Sequence, residues 1–127
     1  MAKTTPEKFA DAVMKELDQY VDGVALDVKD AVKVTSKAGQ KTLRSSSRAT
    51  FKGKGEYASG WKIQEEGDRL NPVAILHNTH PGLPHLLEYG HANRGGGRTD
   101  GRTHIKPVEE MMIIKFEELV TEAIKKP

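Results

Sequence analysis

The stretch from Pro6 to Val32 reads PEKFADAVMKELDQYVDGVALDVKDAV. Its large apolar side chains recur every three or four residues, within a stripe about 140° wide that is typical of an amphipathic helix. The stripe consists of Phe9, Val13, Leu17, Tyr20, Val24, Val28 and Val32. Thr4 and Glu7 have the spacing of a capping box, and Pro6 suits a first helical turn. We predict a helix over about residues 5–36, long enough to extend past the core of a small domain or to be covered by a neighbour.

The middle of the chain predicts a β-hairpin over about residues 56–78. Alternation along the first strand places Tyr57, Trp61 and Ile63 on one side, and Gly67 lies in the turn. We expect Tyr57 and Trp61 to anchor the hairpin on the long helix, with Trp61 buried.

The remaining segments predict a short helix, a loop and a final helix. Residues 83–89 are short and apolar, and Gly90 suits the end of a helix. Residues 91–103 are rich in Gly and Arg with little to bury, so we expect a mobile loop there, followed by a short strand at 104–105. Pro107 begins a helix over about 107–125.

These elements predict one α+β domain over residues 1–127. A long N-terminal helix and a C-terminal helix would pack on a small antiparallel sheet built around the hairpin. The connecting segment 37–54 is basic, and its Gly39 and the serines at 45–47 weaken the prediction of a continued helix. Helix and loop are both open for residues 40–50.

The C-terminal helix has apolar residues on two faces. Its inward face consists of Val108, Met112, Phe116, Leu119, Val120, Ala123 and Ile124. Met111 and Ile114 lie instead among acidic side chains, which suggests a contact with another subunit. The alternative is that both are ordinary exposed hydrophobic residues.

Composition bounds the class of protein. Of 127 residues, 36% are hydrophobic and 30% are charged, and the absence of cysteine excludes disulfides and thiolate metal sites. No apolar run approaches the roughly 18–20 residues that span a bilayer, so we predict no membrane segment. The segment from Met1 to Phe9 lacks the apolar stretch of a signal peptide, and we expect synthesis in a cytoplasm.

Charge is unevenly distributed although the net charge is only +2. Residues 7–30 hold seven acids and three bases, whereas residues 31–55 hold seven bases and no acid. If the basic segment is helical, its bases share one face. They are Lys33, Lys37, Lys41, Arg44, Arg48 and Lys52. This segment and the arginine loop, with Arg94, Arg98 and Arg102, leave open a nucleic-acid-binding module over residues 33–54, although aromatic residues for base stacking are missing from the loop.

The sequence offers little for metal binding or catalysis. His77, His80, His85, His91 and His104 lack the i, i+4 helical spacing of a zinc site, and the glycine run is not a phosphate-binding loop. Glu88 and His91 have acid–base spacing without an evident nucleophile. We therefore predict no metal, cofactor or small-molecule substrate, and keep a small hydrolase built from Glu88, His91 and His104 as a third hypothesis.

Three blocks of sequence resemble those of a known family. They are GEYASGWK at 55–62, LPHLLEYGH at 83–91, and GGGR at 95–98 continuing to THIKP at 103–107. In this order between two helices, the blocks resemble the gene-10-like family of long-tailed phages, whose members are head–tail connector, neck or tail-completion components, often termed minor tail proteins. The chain departs from the family pattern at Thr103, where a proline is expected, and in the segment 49–53.

The resemblance implies a structural protein of the virion that forms rings of identical subunits. It implies no enzyme activity and no cofactor, and the partners would be other copies of the chain and other neck or tail proteins. The location would be the head–tail junction or tail end, after assembly in the bacterial cytoplasm. The motif residues are Tyr57, Gly60, Trp61, His85, Leu86, Leu87, Glu88, Gly90, His91, His104 and Ile105.

The chemistry of the motif residues suggests what each does. Leu86 and Leu87 should seal one end of the core, and Glu88 and His91 would need partners such as backbone amides or a basic side chain. Alternatively, Glu88 and His91 form a recognition site for a neighbouring ring. The three loop arginines would face a neighbour's acids or DNA.

Overall fold

Helices and short strands alternate along the chain in a computed structural model, which describes residues 5–51, 53 and 55–125. The fold is α+β, as predicted, with a long N-terminal helix, a C-terminal helix and small antiparallel sheets. The elements are α1 (Pro6–Thr50), α2 (Glu56–Ser59), β1 (Trp61–Gly67), β2 (Pro72–Asn78), α3 (Leu83–Tyr89), β3 (Gly90–Ala92), β4 (Arg98–Asp100) and α4 (Lys106–Lys125). Strands β1 and β2 form one two-stranded sheet, and β3 and β4 form another. None of the described helices is both long and apolar enough to cross a membrane.

Helix α1 has 45 residues and is therefore about 67 Å long. Its N-cap is Thr5, whose side chain accepts a hydrogen bond from the Lys8 amide at 3.2 Å. The cap predicted at Thr4 lies outside the described residues. The predicted end near residue 36 is wrong, because the helix continues through most of the basic segment to Thr50.

Small residues in the second half of α1 are contact positions rather than helix breakers. A Cβ at Gly39 would overlap Met112 Sδ, so α4 approaches the helix where Gly39 leaves space. The hydroxyl of Ser36 donates to the Lys33 carbonyl at 3.0 Å, within the same helix. Ser47 is buried and accepts a hydrogen bond from the indole of Trp61. Tertiary packing therefore overrides the weak helix propensity of this stretch.

The β1–β2 hairpin runs in register from Trp61 opposite Asn78 to Gly67 opposite Pro72. The Asp68 carboxylate closes its loop by accepting from the amides of Leu70 and Asn71, as in an Asx turn. The prediction that Tyr57 belongs to the first strand is wrong, because residues 56–59 form α2.

The hydrophobic core forms where α1, the hairpin and α4 meet. Its buried centre is Leu43, Trp61 and Val108, with Tyr57, Leu76, Ile105, Met111 and Met112 packed around it. Trp61 is 3% exposed, which confirms its predicted burial. Leu86 is 44% exposed, so its predicted role in sealing the core is wrong, whereas Leu87 is half-buried.

The segment between α3 and α4 is more structured than predicted. Helix α3 occupies its predicted position and ends at Gly90, whose φ of 84° is left-handed. The segment 91–103, predicted as a loop, contains the antiparallel pairing of β3 with β4, although all of its side chains are exposed. The strand predicted at 104–105 is absent, and these residues instead lead into α4, which lies where the sequence predicted it.

Candidate functional site

Glu88 joins α3 to the start of α4. Its Oε1 accepts hydrogen bonds from the amides of His104 at 2.7 Å and Ile105 at 2.9 Å, and its Oε2 accepts from the Lys106 amide at 3.0 Å. The carboxylate thus satisfies amides that the first turn of a helix leaves unpaired. Burial of Glu88 opposes ionisation, but the three amides and His104 outweigh it and hold the pKa of the carboxyl below its usual value.

His104 carries this network on to Tyr57. Its Nδ1 lies 2.8 Å from the Arg102 carbonyl and 3.0 Å from Glu88 Oε1, and two acceptors at that atom assign it the proton. The other ring nitrogen, Nε2, lies 2.6 Å from the Tyr57 hydroxyl. Burial, followed by the charge of Glu88, raises the pKa of Tyr57 to about 12, so the phenol stays protonated as a donor.

Aromatic rings surround this network. Phe51 meets His104 edge-on with ring centroids 4.8 Å apart, and Tyr57 meets Trp61 at 5.6 Å. The Trp61 indole donates to Ser47 Oγ at 3.0 Å. We call this set the motif joint, because it brings together residues of all three sequence blocks. It consists of Ser47, Phe51, Tyr57, Trp61, Glu88 and His104.

The geometry of the motif joint supports a role in holding elements together. Glu88 has the backbone-amide partners that its chemistry predicted, whereas His91 is exposed on β3, with its Nδ1 3.3 Å from the Ala92 carbonyl. Glu88 and His91 therefore do not form the pair suggested by their spacing. The hydrolase hypothesis needs Glu88, His91 and His104 to converge, and only Glu88 and His104 do so.

The other histidines lie at the surface. His85 is exposed and its ring lies 4.9 Å from that of Tyr89, and His77 is exposed on β2. Among the described residues, no group of three His, Asp or Glu side chains is arranged to hold a metal ion.

Gly60 and Gly90 are the two motif glycines, and each lies where the backbone is crowded. A Cβ on Gly60 would lie 2.6 Å from Thr79 Oγ1, next to the bond from the Thr79 amide to the Gly60 carbonyl. A Cβ on Gly90 would overlap the Thr99 carbonyl of β4. Both positions therefore require glycine for close packing.

Two of the three loop arginines bind carbonyls of the chain itself. Arg98 donates to the Tyr89 carbonyl at 3.0 Å, and Arg102 donates to the Thr50 carbonyl at 3.1 Å, at the C-terminal end of α1. Arg94 is exposed in the turn between β3 and β4. The β3–β4 hairpin is thus fastened to the body of the subunit, with Arg94 at its tip.

The basic segment forms one face of α1 because the helix is continuous. Lys33, Lys37, Lys41 and Arg48 are exposed, whereas Arg44 is half-buried and donates to the Trp61 carbonyl at 3.0 Å. Lys52 and Lys54 lie outside the described residues. We call the four exposed side chains the basic face.

The N-terminal part of α1 projects from the rest of the subunit. Among the described residues, the hydrogen bonds and ion pairs between α1 and the body begin at Tyr20, whose hydroxyl lies 3.4 Å from the Ile124 carbonyl, and at Asp22, which pairs with Arg69. Residues 6–19 extend about 21 Å beyond that point, and every residue from 6 to 23 is exposed. We call residues 6–23 the arm.

The arm exposes a large part of the apolar stripe predicted from the sequence. Leu17 at its centre is 52% exposed, whereas Val24, Val28 and Val32 further along the helix are half-buried. The large apolar side chains exposed on the arm are Phe9, Val13, Met14, Leu17, Tyr20 and Val21.

Helix α4 exposes a second apolar patch. Ile114 is 59% exposed, in line with its predicted position off the core, and the neighbouring Ile113 is also exposed. Met111 differs from the prediction, because it packs against the core with its Sδ 3.9 Å from Thr42 Oγ1. The patch on α4 is therefore Ile113 with Ile114 rather than Met111 with Ile114.

Comparison of the chain with protein-family models, with curated proteins and with solved structures found no match. Its function must therefore be inferred from the surfaces of the arm, the basic face and α4, and from the resemblance of the three sequence blocks.

Proposed function

We propose that this protein is a ring-forming structural subunit of the head–tail connector of a long-tailed phage, acting in the neck or in tail completion. The observation that carries this proposal is the arm, a helical extension with its apolar side chains in water. Contiguous apolar surface of this kind marks sites of protein association. A neighbouring subunit that covered the arm would remove this surface from water.

Charge on α1 supports contacts between copies. The arm holds five acids and two bases, whereas residues 31–50 of the same helix hold five bases and no acid. A head-to-tail ring requires two different complementary patches on each subunit, and patches of opposite charge steer such association. One subunit thus carries both halves of a complementary pair.

The resemblance of the three sequence blocks supports the phage context. The blocks are far apart in the chain, yet their residues Tyr57, Trp61, Glu88 and His104 meet in the motif joint. Shared structural residues of this kind are consistent with a common fold, and the role in a virion is carried over from the resemblance.

Assembly of the purified protein tests the proposal. Light scattering after size exclusion, with negative-stain microscopy, should detect closed rings of the wild-type chain. Leu17→Asp should stay folded but should not form rings, because association through the arm would bury a carboxylate without a partner. Gln19→Asp is the matched control, since it adds the same charge to the polar side of the arm and should still assemble. A wild-type chain that remains monomeric at high concentration would refute arm-mediated assembly.

Infectivity tests the phage context directly. In a phage that depends on this gene, Ile114→Asp should leave the subunit folded, with a change in folding free energy within about 0.5 kcal/mol because Ile114 is exposed. Heads and tails should then fail to join. If heads and tails join normally with this variant, Ile114 is not part of the assembly surface.

Nucleic-acid binding is the second candidate function, favoured by the basic face on a continuous helix. Contact with phosphates would make affinity for duplex DNA fall steeply with salt. The paired substitutions Lys37→Glu and Lys41→Glu should abolish such binding, whereas Lys15→Glu on the arm should not. If the wild-type protein does not bind duplex DNA at low salt, nucleic-acid binding is excluded as its function.

A further inference from the structure

The outer edge of β2 has hydrogen-bonding groups with no partner among the residues that the structure describes. The Thr79 amide donates to the Gly60 carbonyl at 2.9 Å, which fixes the alternation of bonded pairs along the hairpin. Residues 62, 64 and 66 of β1 thus bond to β2, and Ala74, Leu76 and Asn78 direct their amides away from β1. No backbone or side-chain acceptor among the described residues reaches the amides of Ala74 and Leu76.

The opposite edge of the hairpin is partly covered. The Trp61 carbonyl on β1 accepts hydrogen bonds from the side chains of Gln40 at 2.9 Å and Arg44 at 3.0 Å. The β2 edge instead borders an apolar groove of about 440 Å³, which Leu76 and Phe116 help to line. Ala74 and Leu76 therefore border an open groove, whereas the β1 edge carries side-chain hydrogen bonds.

The residues of β2 do not protect this edge. Natural proteins discourage pairing at open edges with charged residues, and β1 carries Lys62, Glu65 and Glu66. Strand β2 reads PVAILHN, with no Lys, Arg, Asp or Glu, and Ile75 on its outer face is 41% exposed.

We infer that two copies of this chain pair through β2, antiparallel and about a two-fold axis, to form a continuous four-stranded sheet. Ala74 and the partner's Leu76 exchange both of their backbone hydrogen bonds, and the symmetric pair does the same. Ile75 then lies opposite the partner's Ile75, at a position where side chains approach closely.

Charge favours a second copy as the occupant. The arm is acidic and the basic face is cationic, so each repels its own counterpart on another copy, whereas β2 opposes no like charges when it pairs with itself. The inference goes beyond the proposed function and does not rest on it.

A charge swap at Ile75 tests the two-fold register. All measurements use the Leu17→Asp background, so that association through the arm cannot produce or hide the dimer. The parent should dimerise in sedimentation equilibrium, and Ile75→Glu or Ile75→Lys alone should raise the dissociation constant about tenfold or more, because like charges then oppose each other. An equimolar mixture of the two variants should dimerise again. A mixture that stays monomeric, or a parent without dimers at millimolar concentration, overturns the inference.

Two proline variants test which edge is used. Ala74 and Glu65 are paired opposite each other, and both direct their amides away from the hairpin. Ala74→Pro should abolish the dimer, whereas Glu65→Pro removes an equivalent amide from β1 and should retain it. Amide exchange of the unsubstituted strand gives an independent measurement, because Ala74 and Leu76 should become protected as protein concentration rises. Fast exchange of both at every concentration contradicts the pairing even if the proline variants fail to fold.

Discussion

Replacing Glu88 with glutamine tests whether the motif joint stabilises the subunit. The substitution keeps the size of the side chain but removes its charge and replaces one acceptor oxygen with a donor. In the wild type both oxygens accept, from the amides of His104, Ile105 and Lys106. Glutamine can accept with one oxygen only, so its NH₂ group must face an amide donor.

The magnitude follows from those bonds. A hydrogen bond to a charged group contributes about 1.5–3 kcal/mol, and a neutral one contributes about 0.5–1.5 kcal/mol. In Glu88→Gln, the two bonds to the remaining oxygen become neutral and therefore weaker, and the third bond is lost. We expect Glu88→Gln to lower the free energy of unfolding by about 3 kcal/mol, which is a large share of the roughly 5–15 kcal/mol of a small domain. Glu109 lies exposed in the first turn of α4, so Glu109→Gln controls for lost charge and should cost about 0.5 kcal/mol.

Urea denaturation followed by the fluorescence of Trp61, the only tryptophan, measures the effect. The pKa of Glu88 is lowered by folding, so its stabilisation is complete above the pKa of an unfolded glutamate, about 4.3, and is lost as pH falls through the folded value. The difference in unfolding free energy between wild type and Glu88→Gln should therefore have its full value at pH 7 and should decrease towards zero in acid. A difference below 0.5 kcal/mol at pH 7, or one that does not change in acid, would refute the reasoning.

Three further predictions concern the core. Trp61→Ala should lower the free energy of unfolding by about 3–5 kcal/mol, measured by circular dichroism in urea, and a cost below about 1 kcal/mol would contradict its place in the core. Folding raises the pKa of Tyr57 to about 12, so the stabilisation by its protonated hydroxyl is complete below about pH 10 and is lost as pH rises through the folded pKa. In an alkaline ultraviolet titration, the wild type should show a last tyrosine ionisation that Tyr57→Phe lacks. Gly39→Ala should destabilise the chain by about 1–2 kcal/mol because its Cβ overlaps Met112, but should stabilise a Met112→Ala background by up to about 1 kcal/mol.

The sequence predicted those elements whose local pattern and tertiary role agree. Helices α3 and α4, the return strand of the hairpin and the burial of Trp61 all follow from short-range periodicity and from capping residues. The end of α1 does not, because Gly39 and the serines at 45–47 have low helix propensity. Their small size is useful only where α4 and Trp61 pack on them, which no local window contains.

The motif joint could be predicted only in part. The chemistry of Glu88, a carboxylate beside two leucines, indicated that it needs amide or basic partners. Nothing local indicated that these partners are the first amides of a helix 16 to 18 residues further along the chain. The contact of Tyr57 with His104 spans 47 residues, and loop-closing contacts of that kind leave no periodic signal.

The charge asymmetry of α1 has two physical consequences, which differ in the part of the helix that they affect. Acids near a helix N-terminus and bases near its C-terminus stabilise the helix itself through its dipole, but this effect falls off within the first and last turns. Asp18 and Lys37 both lie more than three turns from the nearer end of α1, so the dipole does not account for them. Charges at such positions act instead on whatever lies beside the helix. Residues 6–19 of the arm make no hydrogen bond or ion pair with the body of the described subunit, and the exposed apolar side chains of the arm lie along the same turns as its acids. A second copy that offers its basic face would pair with the acids of the arm and would remove part of its apolar surface from water, whereas a solvated helix leaves that apolar surface exposed.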